Sequence, residues 1–181
     1  EQSNPNGESL EKVKYEAAKN LYFGEKYPQA IEAFQSYIQK YPTSASTPEG
    51  VYYLADSYFR TEDRTNALRY YYQVIRENKT QFVNRAAQRA AELELQNDNY
   101  RAAANNYQTL LRTSSNKKDQ VAGQLGLMET YFKGNKLDSS LVYAKEVING
   151  GNAVLGAQNR AQLFAGKIAL AKGDSKKAIE E

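Results

Sequence analysis

The chain has 181 residues, 41% of them hydrophobic and 25% charged, which suits one globular unit or a short repeat array. Its 24 basic and 21 acidic residues leave a net charge of +3, too small an excess to argue for nucleic acid. Cysteine and histidine are both absent, which excludes disulfides, thiolate metal sites and every Ser-His-Asp, Cys-His or HExxH arrangement within the chain, and no cofactor or metal is expected. No run approaches the ~18 apolar residues of a membrane span. The polar start EQSNPNGESLEK has no signal-peptide core, which leaves export open.

Residues 1–8 read as a flexible lead-in, with Asn, Pro, Gly and Ser and no apolar period. From Leu10 the period becomes helical through Val13, Ala17, Ala18, Leu21 and Tyr22, and Gly24 is expected to end that helix in the left-handed region. After a short turn a second helix runs from Tyr27 to Pro42. Its Ala30, Phe34 and Tyr37 share one face, a hole followed by a knob one turn later. Helices joined this briefly are antiparallel neighbours. Thr47-Pro48 reads as an N-cap followed by a first-turn proline, opening a helix to about Arg60. A partner follows from Asn66 to Glu77, with Ala67, Tyr71 and Val74 in the hole-and-knob places. The third pair spans Phe82 to Gln96 and Asn99 to Arg112, carrying Ala103, Tyr107 and Leu110. Thr113 to Asp119 reads as a polar loop. The fourth pair spans Gln120 to Lys133 and Leu137 to Ile148, with Ser140, Ala144 and Val147. Asn149 to Asn152 is a break; a fifth first helix runs from about Ala153 to Lys172, and Ala178 opens a second helix that stops at Glu181.

The small residues Ala30, Ala67, Ala103, Ser140 and Ala178 are spaced by 37, 36, 37 and 38 positions. Twelve places before each lie Ala18, Ala55, Ala91, Met128 and Gly166, a second packing hole on each first helix, with Met128 the exception. Gly123 and Gly126 fall inside a helix, where they permit close helix packing and form no phosphate loop.

Period, paired helices and the small-then-aromatic pattern together resemble the tetratricopeptide repeat, over about residues 9–181. The units AAKNLYFGEKYPQAIEAFQSYIQKYP and VYYLADSYFRTEDRTNALRYYYQVI match best, through Leu21 or Tyr58, Ala30 or Ala67, and Phe34 or Tyr71. The period exceeds the family's usual 34 residues, and the third and fourth units depart most. The turn in YIQKYPTSASTPEGVYYLADSYF is similar to that of bacterial envelope repeats, such as those of the Tol-Pal coordinator protein and the outer-membrane assembly lipoproteins. The resemblance implies an all-α, right-handed superhelical solenoid of four helix pairs and a truncated fifth, with units at about 9–44, 45–79, 80–115, 116–151 and 152–181. Because it ends inside a repeat, the chain is expected to be a fragment of a longer array.

The resemblance also implies a non-catalytic scaffold binding a protein or peptide on a concave face lined by first helices. That face would hold Lys12, Tyr15, Lys19 and Tyr22; then Tyr52, Asp56, Phe59 and Arg60; then Arg85, Gln88, Glu92 and Gln96; then Leu125, Glu129, Phe132 and Lys133; then Arg160, Leu163 and Lys167. Tyr and Arg suit recognition because they offer large contact area at low entropic cost. Tyr15, Tyr52 and Phe59 read as binding residues, Tyr58 and Tyr71 as packing. The family's carboxylate clamp is not met, since Tyr15, Lys19, Tyr52, Asp56, Gln88 and Glu92 stand in its places. Two other readings stay open: a homo-oligomeric scaffold joined through Tyr70, Tyr72 or the C-terminal end, and a glycan-acting enzyme using Glu92 and Glu129. The envelope resemblance implies a periplasmic or outer-membrane-associated protein, with the cytoplasm as the alternative.

Overall fold

The computed structural model describes residues 9–150 and 154–173, and every regular element among them is an α-helix. These are α1 (Leu10–Phe23), α2 (Tyr27–Lys40), α3 (Thr47–Arg60), α4 (Arg64–Glu77), α5 (Val83–Gln96), α6 (Tyr100–Thr113), α7 (Lys117–Lys133), α8 (Leu137–Asn149) and α9 (Ala157–Ala171). The expected lead-in, part of the break after Asn149 and the helix opening at Ala178 lie outside the described residues. The chain divides into two compact units, residues 1–86 and 87–181. In the first, α1 packs on α2 and α3, α2 on α3, and α3 on α4. In the second, α6 packs on α7, α7 on α8 and α9, and α8 on α9.

Three helix starts show how side chains set the bounds. The hydroxyl of Ser9 accepts from the Lys12 N–H at 3.3 Å, and the Asp63 carboxylate accepts from the Asn66 N–H at 3.1 Å. The Asn116 side chain accepts from the Lys118 N–H at 2.8 Å, so α7 begins three residues before the expected Gln120. Thr47 is not the cap of α3. Its hydroxyl donates back to the Tyr41 carbonyl at 2.5 Å, and Ser46 takes the cap place ahead of Pro48.

The turn within each pair corrects the expectation for Gly24. That residue has φ −83°, and the left-handed place falls one residue later, on Glu25 at φ +58°. Glu62, Asp98 and Asn135 occupy the same repeat position, with φ between +56° and +63°. Each is followed by an N–H that reaches five residues back: Lys26 to the Leu21 carbonyl (2.9 Å), Asp63 to Tyr58 (3.0 Å), Asn99 to Glu94 (2.9 Å) and Lys136 to Tyr131 (2.7 Å). This is a Schellman ending, in which one left-handed residue lets the last carbonyls of the helix find donors.

The hole-and-knob register holds in both units. Ala18, Ala30, Ala55 and Ala67 are fully buried in the first, as are Ala91, Ala103, Met128 and Ser140 in the second. The knobs Phe34, Tyr71 and Ala144 are equally inaccessible, and Tyr107 is nearly so. Burying a side chain such as Phe34 stabilises the fold by ~1.5–3 kcal/mol. Ser140 brings a hydroxyl into an alanine site, and it donates to the Met128 carbonyl at 2.7 Å, so its polarity is satisfied. Of the two helical glycines of α7, Gly126 is required by packing, and Gly123 lies in close contact with a side chain that can yield. A Cβ on Gly126 would stand 2.3 Å from the Tyr107 ring, and one on Gly123 would stand 2.8 Å from Leu111.

Candidate functional site

In the first unit three of the eight expected recognition residues on α1 and α3 are core, three are half-buried, and Lys12 and Arg60 are exposed. Tyr15 and Tyr52 are each 5% exposed and Asp56 is 2% exposed. The Tyr15 ring lies 5.3 Å from Tyr37 and 6.4 Å from Phe34. Tyr52 stacks on Phe82 at 4.3 Å and 14°. At these three positions the side chain faces the interior: α2 closes over Tyr15, Phe82 covers Tyr52, and Tyr71 of α4 reaches Asp56. Burial, with the Glu49 carboxylate next in weight, raises the pKa of the Tyr15 hydroxyl far above the ordinary tyrosine value. Asp56 is a structural anion. It accepts from the Tyr22 hydroxyl at 2.8 Å, the Tyr71 hydroxyl at 2.9 Å and the Arg60 Nε–H at 3.3 Å, tying α1, α3 and α4 together. Tyr22 is half-buried, and burial followed by its bond to Asp56 raises its pKa. Arg60 is exposed, with its guanidinium over the Tyr27 ring at 5.9 Å. Lys19 sits 5.1 Å over the Tyr15 ring, Arg85 lies 5.7 Å over Phe82, and Phe59 is half-buried.

The second unit brings its expected residues together around a cleft of about 390 Å³. Gln88, Glu92 and Gln96 line it from α5, and Leu125, Glu129 and Lys133 from α7. In each row the residues recur at helical spacing and therefore share a face. Arg160 closes one side, and Leu95, Val121, Val154 and the Tyr107 ring supply apolar wall. The carboxylates are compensated. Glu92 accepts from Gln88 at 3.0 Å and from Arg89 at 2.9 Å; Glu129 accepts from Arg160 and lies 3.7 Å from the Lys133 ammonium. Burial, then the charges of Glu92 and Glu129, raises the Tyr107 pKa well above the ordinary value. Each carboxylate is thus held against a guanidinium, Glu92 by Arg89 and Glu129 by Arg160. Phe132 is half-buried and meets Phe164 edge-on at 5.3 Å, and Leu163 and Leu170 of α9 are 58% and 59% exposed.

The sequence has Tyr58 as a packing residue but does not reveal its partner, a tyrosine stack found in both units. Tyr58 stacks on Tyr70 at 5.7 Å and 3°, and Tyr131 stacks on Tyr143 at 5.8 Å and 19°. Each pair also receives an amide from the preceding second helix: Gln35 donates to the Tyr58 hydroxyl at 2.8 Å, and Gln108 to that of Tyr131 at 3.2 Å. The signal lay in the likeness of LADSYFR (54–60) to LMETYFK (127–133), which relates every second repeat. It places Tyr70 in an interhelical stack, half-buried.

Comparison with known proteins gives a family and a fold. The family model of YfiO, described as an outer membrane lipoprotein, matches residues 1–92. No curated protein matches. Among solved structures, a MamA RS-1 ArsTM double mutant superposes with a TM-score of 0.73 at 14% identity, covering 94% of this chain and 89% of that one. MamA 41-end from Desulfovibrio magneticus RS-1 gives 0.72 at 13% identity, with the same coverage. A kinesin light chain of Podosopora anserina with nearly identical TPR-like repeats gives 0.68 at 14% identity, covering 93% and 89%. The fold is therefore an all-α, tetratricopeptide-like helical repeat of the solenoid class.

Proposed function

This chain belongs to the YfiO family of outer membrane lipoproteins, and from that premise we propose that it is a non-catalytic scaffold of the bacterial envelope that holds a protein or peptide against the first helices of its repeats. The observation that carries the reading is the cleft of the second unit. There α5, α7 and α9 present amides, compensated charges and apolar wall at one place, the mixture that protein recognition uses. Family membership supports the envelope location, and the helical-repeat fold supports a role in assembly.

The test is site-specific photocrosslinking in cells. A photoreactive residue at Gln96 or Lys118, on the cleft, is expected to trap discrete envelope proteins. The same residue at Asn105, exposed on the second helix α6, is expected to trap none. Equal labelling from both faces would remove the assignment.

A further inference from the structure

The two units share one repeat pattern but differ in what fills it. At an offset of 73 positions, the knob Phe34 of the first unit corresponds to Tyr107 of the second. In the first unit Tyr15 and Tyr53 lie against that knob, Tyr22 and Tyr52 pack on Tyr53, and Phe23 meets Tyr53 from the exposed edge. Tyr53 stacks on Phe34 at 5.7 Å and lies 4.8 Å from Tyr22, 5.7 Å from Phe23 and 5.7 Å from Tyr52. Phe82 then covers Tyr52. In the second unit the corresponding residues are Gln88, Leu95, Gln96, Leu125 and Gly126, and all five line the cleft. The counterpart of Phe82 is Leu155, which is fully exposed. The cleft is therefore the place where this repeat elsewhere keeps its aromatic side chains, with the aromatic knob beneath it retained.

We infer that the cleft of the second unit is a socket for an aromatic side chain of a partner segment, supplied in trans where the first unit supplies its rings in cis. The inference rests on the scaffold reading above and names what the site takes. A volume of about 390 Å³ falls within the ~300–1,000 Å³ of small-ligand pockets. The wall of Leu95 and Leu125 offers apolar area, and the Tyr107 ring offers an aromatic partner for an edge-on or offset contact. The charge at the rim adds a direction. Lys118 lines the cleft and pairs with no carboxylate among the described residues, and Lys133 meets Glu129 only at 3.7 Å. An acidic residue beside the partner's ring therefore finds a complementary cation.

Capped pentapeptides of sequence Gly-Asp-Phe-Gly-Gly, with Leu or Gly replacing Phe and with Lys replacing Asp, titrated into the isotope-labelled full chain, test this. The Phe peptide is expected to shift the amide signals of Gly126 and Gln96 saturably. The Leu peptide should bind about three- to tenfold more weakly, the Gly peptide not measurably, and the Lys peptide more weakly than the Asp one. Leu125→Tyr restores the ring that the first unit has at Tyr52 and should abolish the response. Gln88→Tyr restores the ring that the first unit has at Tyr15 and should do the same from a half-buried position on the cleft wall. Equal affinity for Phe and Leu, shifts confined to the first unit, persistence in both variants, or no saturable response at millimolar peptide would each overturn the socket. Crosslinks at Lys118 that survive Leu125→Tyr would leave the scaffold standing without the socket; Phe-peptide binding without any cellular crosslink would do the reverse.

Discussion

Four residues that lack the freedom of glycine hold left-handed backbone at the turn inside each pair: Glu25, Glu62, Asp98 and Asn135. A Cβ in that region crowds the neighbouring carbonyl at a cost of ~1–2 kcal/mol, a cost glycine does not carry. Glu62→Gly is therefore expected to stabilise the fold by ~0.5–1 kcal/mol, after allowing for the greater freedom glycine gives the unfolded chain. A thermal melt with an unchanged or lowered midpoint would show that the Glu62 side chain repays its own strain. Asp98 and Asn135 are of types that tolerate the left-handed region, but Glu25 and Glu62 are not, so the position carries no common residue signature. Gly24, the residue with the greatest freedom, stands one place before the left-handed position. The hydrogen bond from Lys26 to Leu21 fixes the true ending, and a local pattern does not reveal such a bond.

At the scale of the helix pair, legibility followed packing. A second helix can approach a first only where a side chain is missing, so the small residue and its aromatic neighbour recur wherever the contact recurs, and that recurrence can be counted. The same contact yields a prediction. Ala67 is fully buried between α3 and α4, and Ala67→Leu should destabilise by ~1–3 kcal/mol through overpacking; a denaturant midpoint equal to wild type would count against the register. The recognition face was harder to read because exposure at a repeat position depends on what the adjoining repeat sends across. Tyr52 is covered by Phe82, whereas its counterpart Leu125 looks into a cleft. Asp56 was expected to meet a ligand and instead meets Tyr22 and Tyr71. In the second unit the Tyr71 position is Ala144, and the longer Glu129 turns to Arg160. Reading each repeat alone gives the positions. Reading one repeat against another shows which are filled.

Across the whole molecule the tyrosines are unevenly placed: 11 of 15 lie at or before Tyr72. The first unit is accordingly stapled by rings and phenolic hydroxyls, while the second has room beside its knob. The phenols give the fold an alkaline limit. Burial raises the pKa of Tyr15, Tyr22 and Tyr107 well above the ordinary value, and that of Tyr53 to about 12. In the unfolded chain these groups ionise near ~10, so their contribution to stability is complete below that pH and is lost as pH rises towards the folded values. In an alkaline titration, part of the tyrosine absorbance change should arrive together with the loss of helical circular dichroism. Complete ionisation with helicity intact would contradict the buried network.

The bond from Ser140 to the Met128 carbonyl has a mechanical consequence. Alanine against alanine resists separation but tolerates small slides and rotations, because dispersion contacts have no preferred direction. A hydroxyl aimed at one main-chain oxygen penalises both. It therefore fixes the register of α8 against α7, the helix that carries Leu125, Gly126 and Glu129 of the cleft. The same kind of bond ties α9 to α8, where the Gln158 amide donates to the Ile148 carbonyl at 2.7 Å, so the wall that carries Arg160 is held in register with the wall that carries Glu129.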